Sequence, residues 1–112
     1  MGKTGDVNDV ERVSYSREGI VVPVHPGRLL KREMAARGLS TKALASALHV
    51  PAKRISAILK ERRAISADTA LRLGRYLGTG PEVWLGMQRD YDVAVVLRDH
   101  GAQIEADVKP AE

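Results

Sequence analysis

Apolar positions recur at the three-and-four spacing of a helix from Pro26 to about Arg98, and at no regular spacing before it. Residues 1–19 are polar and rich in Gly, Asp, Ser and Asn, which predicts a flexible arm. Ile20-Val21-Val22-Pro23-Val24 is a β-branched run and predicts a short extended segment, with Pro23 lacking a donor. Beyond it the breaks predict five helices. The first runs from Pro26, suited to a first helical position, to Arg37, with Leu30 and Met34 inward and Gly38 closing it. Ser40 or Thr41 caps a second, reaching Leu48 with Leu44 and Ala45 inward, and His49-Val50 forms the turn. Pro51 opens a third with Ile55, Ile58 and Leu59 inward. Ser66 caps a fourth that ends at Leu77 and Gly78, and Gly80-Pro81-Glu82 begins a fifth ending near Arg98. The expected organisation is an arm over residues 1–24, an all-α domain over 25–100 and a tail over 101–112.

Composition narrows the class. A chain of 112 residues holds one domain, and with aromatic residues at 4% and no Phe its core must come from Leu, Ile, Val and Ala, as in small helical proteins. Without Cys there is no disulfide framework, zinc–thiolate site or cysteine nucleophile. No apolar run approaches the roughly 20 residues of a membrane span, and the opening residues lack a hydrophobic signal region, so a soluble cytoplasmic protein is expected. The formal net charge of +4 is unevenly spread. Residues 40–63 carry Lys42, Lys53, Arg54, Lys60, Arg62 and Arg63 against Glu61 alone, whereas residues 64–112 are net acidic. A short cationic stretch of this kind suits phosphate binding, or a solvated face.

The charge coincides with a particular helix pair. In Thr41–Lys60 two short helices joined by about three residues can cross steeply, because Ala45 is small where they meet and Leu44, Leu48, Val50, Ile55 and Ile58 flank it. This is the spacing of a DNA-binding helix-turn-helix, whose second helix enters the major groove. At 100° per residue, setting Ile55, Ile58 and Leu59 inward puts Lys53, Ala57 and Lys60 on the opposite side, with Ser56 and Arg54 flanking. Small residues allow close approach to bases, and the cations reach phosphate or guanine. The expected DNA-binding set is Thr41, Lys42, Ala52, Lys53, Arg54, Ser56, Ala57, Lys60, Arg62 and Arg63.

Several blocks, in unbroken order, resemble the HigA-type antitoxins, a branch of the phage-repressor-like helix-turn-helix superfamily. They are His25-Pro26-Gly27, Leu39-Ser40, Val50-Pro51 with Arg54-Ile55-Ser56, Arg63, the run Ala67 to Leu73, Gly78-Thr79, Pro81-Glu82-x-Trp84-Leu85 and Gln88-x-x-Tyr91-Asp92. The resemblance implies a five-helix repressor that binds its own operator DNA as a homodimer and neutralises a RelE-like, mRNA-cleaving toxin. It implies no cofactor. The chain departs from the family at the turn, where His49 stands at a position that is often Gly. Ala52 and Ala57 on the outward side leave base preference to Lys53, Ser56 and DNA shape.

Other residues suggest other roles. Trp84 and Tyr91, seven apart on one helix face, suit the core or a dimer interface, and with Leu85 and Val95 they make the fifth helix the expected interface. His25, His49 and His100 are too scattered for a metal site, and His25 suits the entry to the first helix. No phosphate loop, nucleophile elbow or catalytic triad is present, so an enzyme is the weakest class. Two rivals stand beside the antitoxin: a regulator without a toxin, and a protein-interaction module that has lost DNA affinity.

Overall fold

A computed structural model describes residues 24–111. It forms five helices: α1 (Pro26–Arg37), α2 (Thr41–Leu48), α3 (Ala52–Leu59), α4 (Ala67–Leu77) and α5 (Glu82–Asp107). Among the described residues there is no strand. The extended segment expected at residues 20–24 lies outside them except for Val24, which is exposed and in no regular element. The arm lies outside them as well.

Local chemistry fixes the ends of the helices. His25 is the N-cap of α1, its Nδ1 accepting from the Gly27 N–H at 2.9 Å, with Pro26 in the first turn. Gly38 ends α1 at φ 66°, where the Leu39 N–H reaches the Met34 carbonyl at 2.9 Å. Ser40 Oγ accepts from the Ala43 N–H at 3.0 Å and Ser66 Oγ from the Thr69 N–H at 3.2 Å, so each opens its helix by satisfying a backbone donor.

By its contacts the described chain falls into residues 24–89 and residues 90–111. In the first, Leu30, Leu44, Ile55, Ile58, Leu73 and Trp84 are fully buried around the small residues Ala45 and Ala70. Gly27 lets α1 approach α3 closely: a Cβ there would lie 2.2 Å from the Ile58 carbonyl oxygen. Gly74 does the same for the chain after α4, whose Gly80 N–H donates to the Gly74 carbonyl at 3.1 Å. In the second, α5 continues with Ala94 and Gly101 buried and Val96 exposed.

Leu59, expected inward, packs half-buried against the core. Two boundary expectations shift. Pro51 is the N-cap of α3 at ψ 143° rather than its first residue. The fifth helix runs past Arg98 to Asp107, so residues 101–107 of the expected tail are helical. Ala102, Gln103, Glu105 and Ala106 are good helix formers, and Gln103 Nε2 donates to Asp107 Oδ2 at 2.6 Å, which together offset the cost of Gly101. Loss of apolar periodicity marks where burial ends, not where the helix does.

Candidate nucleic-acid interface

The turn between α2 and α3 is built on His49, which takes the left-handed conformation at φ 60°, ψ 47°. Its N–H donates to the Ser46 carbonyl at 3.2 Å and the Val50 N–H to the Ala45 carbonyl at 3.0 Å, so two terminal carbonyls of α2 are satisfied in two residues. α3 packs against both α2 and α1. Ile55 and Ile58 are fully buried and so set which side of α3 faces away.

That outward side carries the expected residues. Ala52, Lys53 and Lys60 are exposed, and Ser56 and Ala57 are half-buried beside them. Thr41 is half-buried and Lys42 exposed at the start of α2, and Arg62 and Arg63 are exposed beyond α3. Among the described residues, Lys42, Lys53, Lys60, Arg62 and Arg63 have no ion-pair or side-chain hydrogen-bond partner. Five cations left available around one short helix are what phosphate contacts require.

Arg54, also in the expected DNA-binding set, differs from these five in that it is paired within the chain. Its side chain is only 23% exposed and turns toward α4, with Nη1 2.6 Å from Asp68 Oδ2 and 3.5 Å from Thr69 Oγ1. The same Asp68 oxygen accepts from Arg72 Nε at 2.9 Å, and Arg72 Nη1 donates to the Leu48 carbonyl at the end of α2, 2.8 Å away. Asp68 thereby joins all three helices. The Arg54 guanidinium first, and Arg72 second, hold its carboxyl below the ordinary carboxylate range. The four-residue spacing of Asp68 and Arg72 is a sequence signal; the reach of Arg54 across 14 residues is not.

Glu61, the one acid in the cationic stretch, is also engaged. It stands at φ 61°, the Arg62 N–H closes the end of α3 on the Ala57 carbonyl at 2.9 Å, and Glu61 Oε2 accepts from Arg28 Nε at 3.1 Å. A cation from α1 thus offsets it, and the stretch keeps its positive field.

Of the two places expected for Trp84, the core or a dimer interface, it takes the core: the ring is 0% exposed, and its Nε1–H donates to Thr79 Oγ1 at 3.0 Å. Leu85 is half-buried against that core. Within residues 90–111, Tyr91 and Val95 are half-buried, and Asp92, Val93, Val96 and Leu97 line an open groove of about 310 Å³. Among the described residues no three His, Cys, Asp or Glu side chains are grouped to hold a metal ion, and no helix is long and apolar enough to cross a membrane.

Known proteins match this arrangement. A helix-turn-helix family model matches residues 30–84. Virulence-associated protein I of Dichelobacter nodosus is 49% identical over 77 residues, which is 68% of this chain and 71% of the relative. An addiction module antidote protein of the HigA family from Coxiella burnetii superposes with a TM-score of 0.76 at 42% identity, over 81% of this chain and 100% of that one. The Pseudomonas aeruginosa antitoxin HigA, solved with the higBA promoter, superposes with a TM-score of 0.76 at 41% identity, over 80% and 99%. With such identity over nearly the whole length of solved relatives, this chain belongs to the HigA family of helix-turn-helix DNA-binding antitoxins.

Proposed function

We propose that this chain is the antitoxin of a type II toxin–antitoxin system. It acts in the cytoplasm, binds its own operator DNA as a dimer, represses transcription and neutralises a RelE-like, mRNA-cleaving toxin. The observation that carries the DNA half is the outward side of α3, where Lys53 and Lys60 flank small residues while Lys42, Arg62 and Arg63 stand unpaired around it among the described residues. A relative 41% identical has been solved with promoter DNA, which supports placing α3 in the groove. The toxin half is supported by membership of an antitoxin family. The dimer is supported by Val96, 43% exposed beside the apolar groove of α5, a surface that a second copy would cover.

Two measurements test this reading. The purified chain should shift a duplex from immediately upstream of its own gene, with a steep salt dependence and a stoichiometry of two chains per site. Co-expressed with the neighbouring open reading frame, it should co-purify with that product and suppress its toxicity. A chain that binds the duplex but rescues no growth is a regulator without a toxin; one that binds no upstream DNA at low salt is not an operator-binding protein at all.

A further inference from the structure

We infer that Asp68 is the positioning residue of the recognition helix: its carboxylate holds Arg54 of α3 against α4 and, through Arg72, against the end of α2. The inference rests on the reading that α3 enters the major groove. It assigns Arg54 to holding the DNA-reading helix rather than to reading DNA.

The need for such a clamp follows from how little else orients α3. The helix has eight residues, about 12 Å of axis, and its N-cap Pro51 offers no side-chain hydrogen bond. Ile55 and Ile58 set its depth, but apolar contact is non-directional and leaves rotation about the axis poorly fixed. A rotation of about 20° moves a side-chain tip roughly 6 Å from the axis by about 2 Å, more than a hydrogen bond to a base edge tolerates. Arg54 lies in the first turn of α3, next to Lys53, and makes a 2.6 Å charge-assisted bond to an acid on another helix. That bond is directional, and it restrains the rotation that the buried isoleucines leave loose. Arg72 extends the restraint by bonding both Asp68 and the Leu48 carbonyl, so the two helices of the motif are referred to one carboxylate on α4.

Electrostatics alone makes the opposite forecast. Removing an acid beside a DNA-binding surface should strengthen binding to any duplex, and freeing Arg54 should add a phosphate contact. The full-length wild type, Asp68→Asn, Arg54→Gln and the double variant separate the two. Each is compared on the upstream duplex and on a scrambled duplex of equal length across a salt series, with backbone hydrogen exchange measured on the free protein. With the clamp, Asp68→Asn speeds exchange in α3 at least tenfold while α1 is unchanged. It lowers upstream-duplex affinity tenfold or more, leaves scrambled-duplex affinity equal or higher, and keeps the salt slope. Arg54→Gln behaves alike, and the double variant is no worse than either single one. Unchanged upstream affinity in Asp68→Asn would overturn the clamp, and a salt slope lowered by about one unit in Arg54→Gln would overturn it by making Arg54 a DNA contact. Exchange that rises equally in α1 and α3 would overturn it too, as a general loss of stability. If the wild type binds neither duplex, the operator reading fails, and the exchange data alone still judge the clamp.

Discussion

The backbone N–H of Ile65 donates to Gln88 Oε1 at 2.8 Å, so a side chain of α5 satisfies the link between α3 and α4. Both residues are buried. Gln88→Leu should therefore leave a buried donor unpaired and cost about 1–3 kcal/mol. Gln88→Glu keeps an acceptor at the same reach and should cost less than Leu at neutral pH. Urea unfolding of the three proteins checks this, and an unchanged midpoint for the Leu variant would mean that the link finds another partner.

Gly27→Ala places a Cβ against the Ile58 carbonyl oxygen, a backbone atom that cannot swing aside as a side-chain tip can. The expected loss is about 2 kcal/mol or more, seen as a fall in thermal midpoint. A near-neutral variant would mean that α1 and α3 separate easily.

Two residues other than glycine hold left-handed backbone, His49 at φ 60° and Glu61 at φ 61°. His49→Gly relieves roughly 1–2 kcal/mol of backbone cost, while the more flexible unfolded chain returns about 0.4–1 kcal/mol. A net gain of about 0.5–1 kcal/mol is expected in denaturant unfolding. Glu61→Gly gains less, because it also removes the partner of Arg28. It should, however, raise affinity for non-specific DNA by leaving Arg28 unpaired. Equal gains from the two substitutions would show that the Arg28 pair contributes nothing.

What could be read in the sequence was whatever is local. Pro26 with Gly38, and Ser66 with Gly78, mark the ends of α1 and α4 because capping is decided within a few residues. The outward side of α3 followed from setting Ile55, Ile58 and Leu59 inward. Trp84 shows the limit of periodicity, which finds an apolar face but not which wall covers it; here the wall is the chain's own core. The pairs Arg54–Asp68 and Ile65–Gln88 left no signal, since polar partners 14 and 23 residues apart obey no spacing rule. Glu61 gave no cue either, as nothing about glutamate announces positive φ.

Lys53→Glu combined with Lys60→Glu should abolish operator binding while leaving the thermal midpoint close to wild type, since both side chains are exposed and neither has a partner among the described residues. Seven residues apart, Lys53 in the first turn of α3 and Lys60 at its C-cap are spaced by about two helical turns. Each lost phosphate contact lowers the log–log salt slope by about 0.9, which a charge change far from DNA would not do. Wild-type affinity in the folded double variant would remove α3 from the groove.

The Asp68 carboxyl gives the clamp a pH signature. Arg54 foremost, then Arg72, lower its pKa in the folded chain, whereas the unfolded value stays near the ordinary ~3.9. Above that pH both states are ionised and the stabilisation is complete. As pH falls from about 4 toward the folded value, the unfolded chain takes up the proton first, so stability drops with pH. Asp68→Asn has no such proton to bind. Its thermal midpoint should lie below wild type at pH 6–7, fall less steeply in acid, and meet the wild-type curve once Asp68 is protonated in both states. Asp99, lowered in the same direction by Arg98, contributes an acid-side fall common to both proteins and cancels in the comparison. Because the Asp68 side chain is 53% exposed, about 0.5 M salt should shrink the difference at neutral pH. A wild-type–variant gap that stays constant from pH 7 down to about 2 would mean that packing, not charge, carries the effect of Asp68.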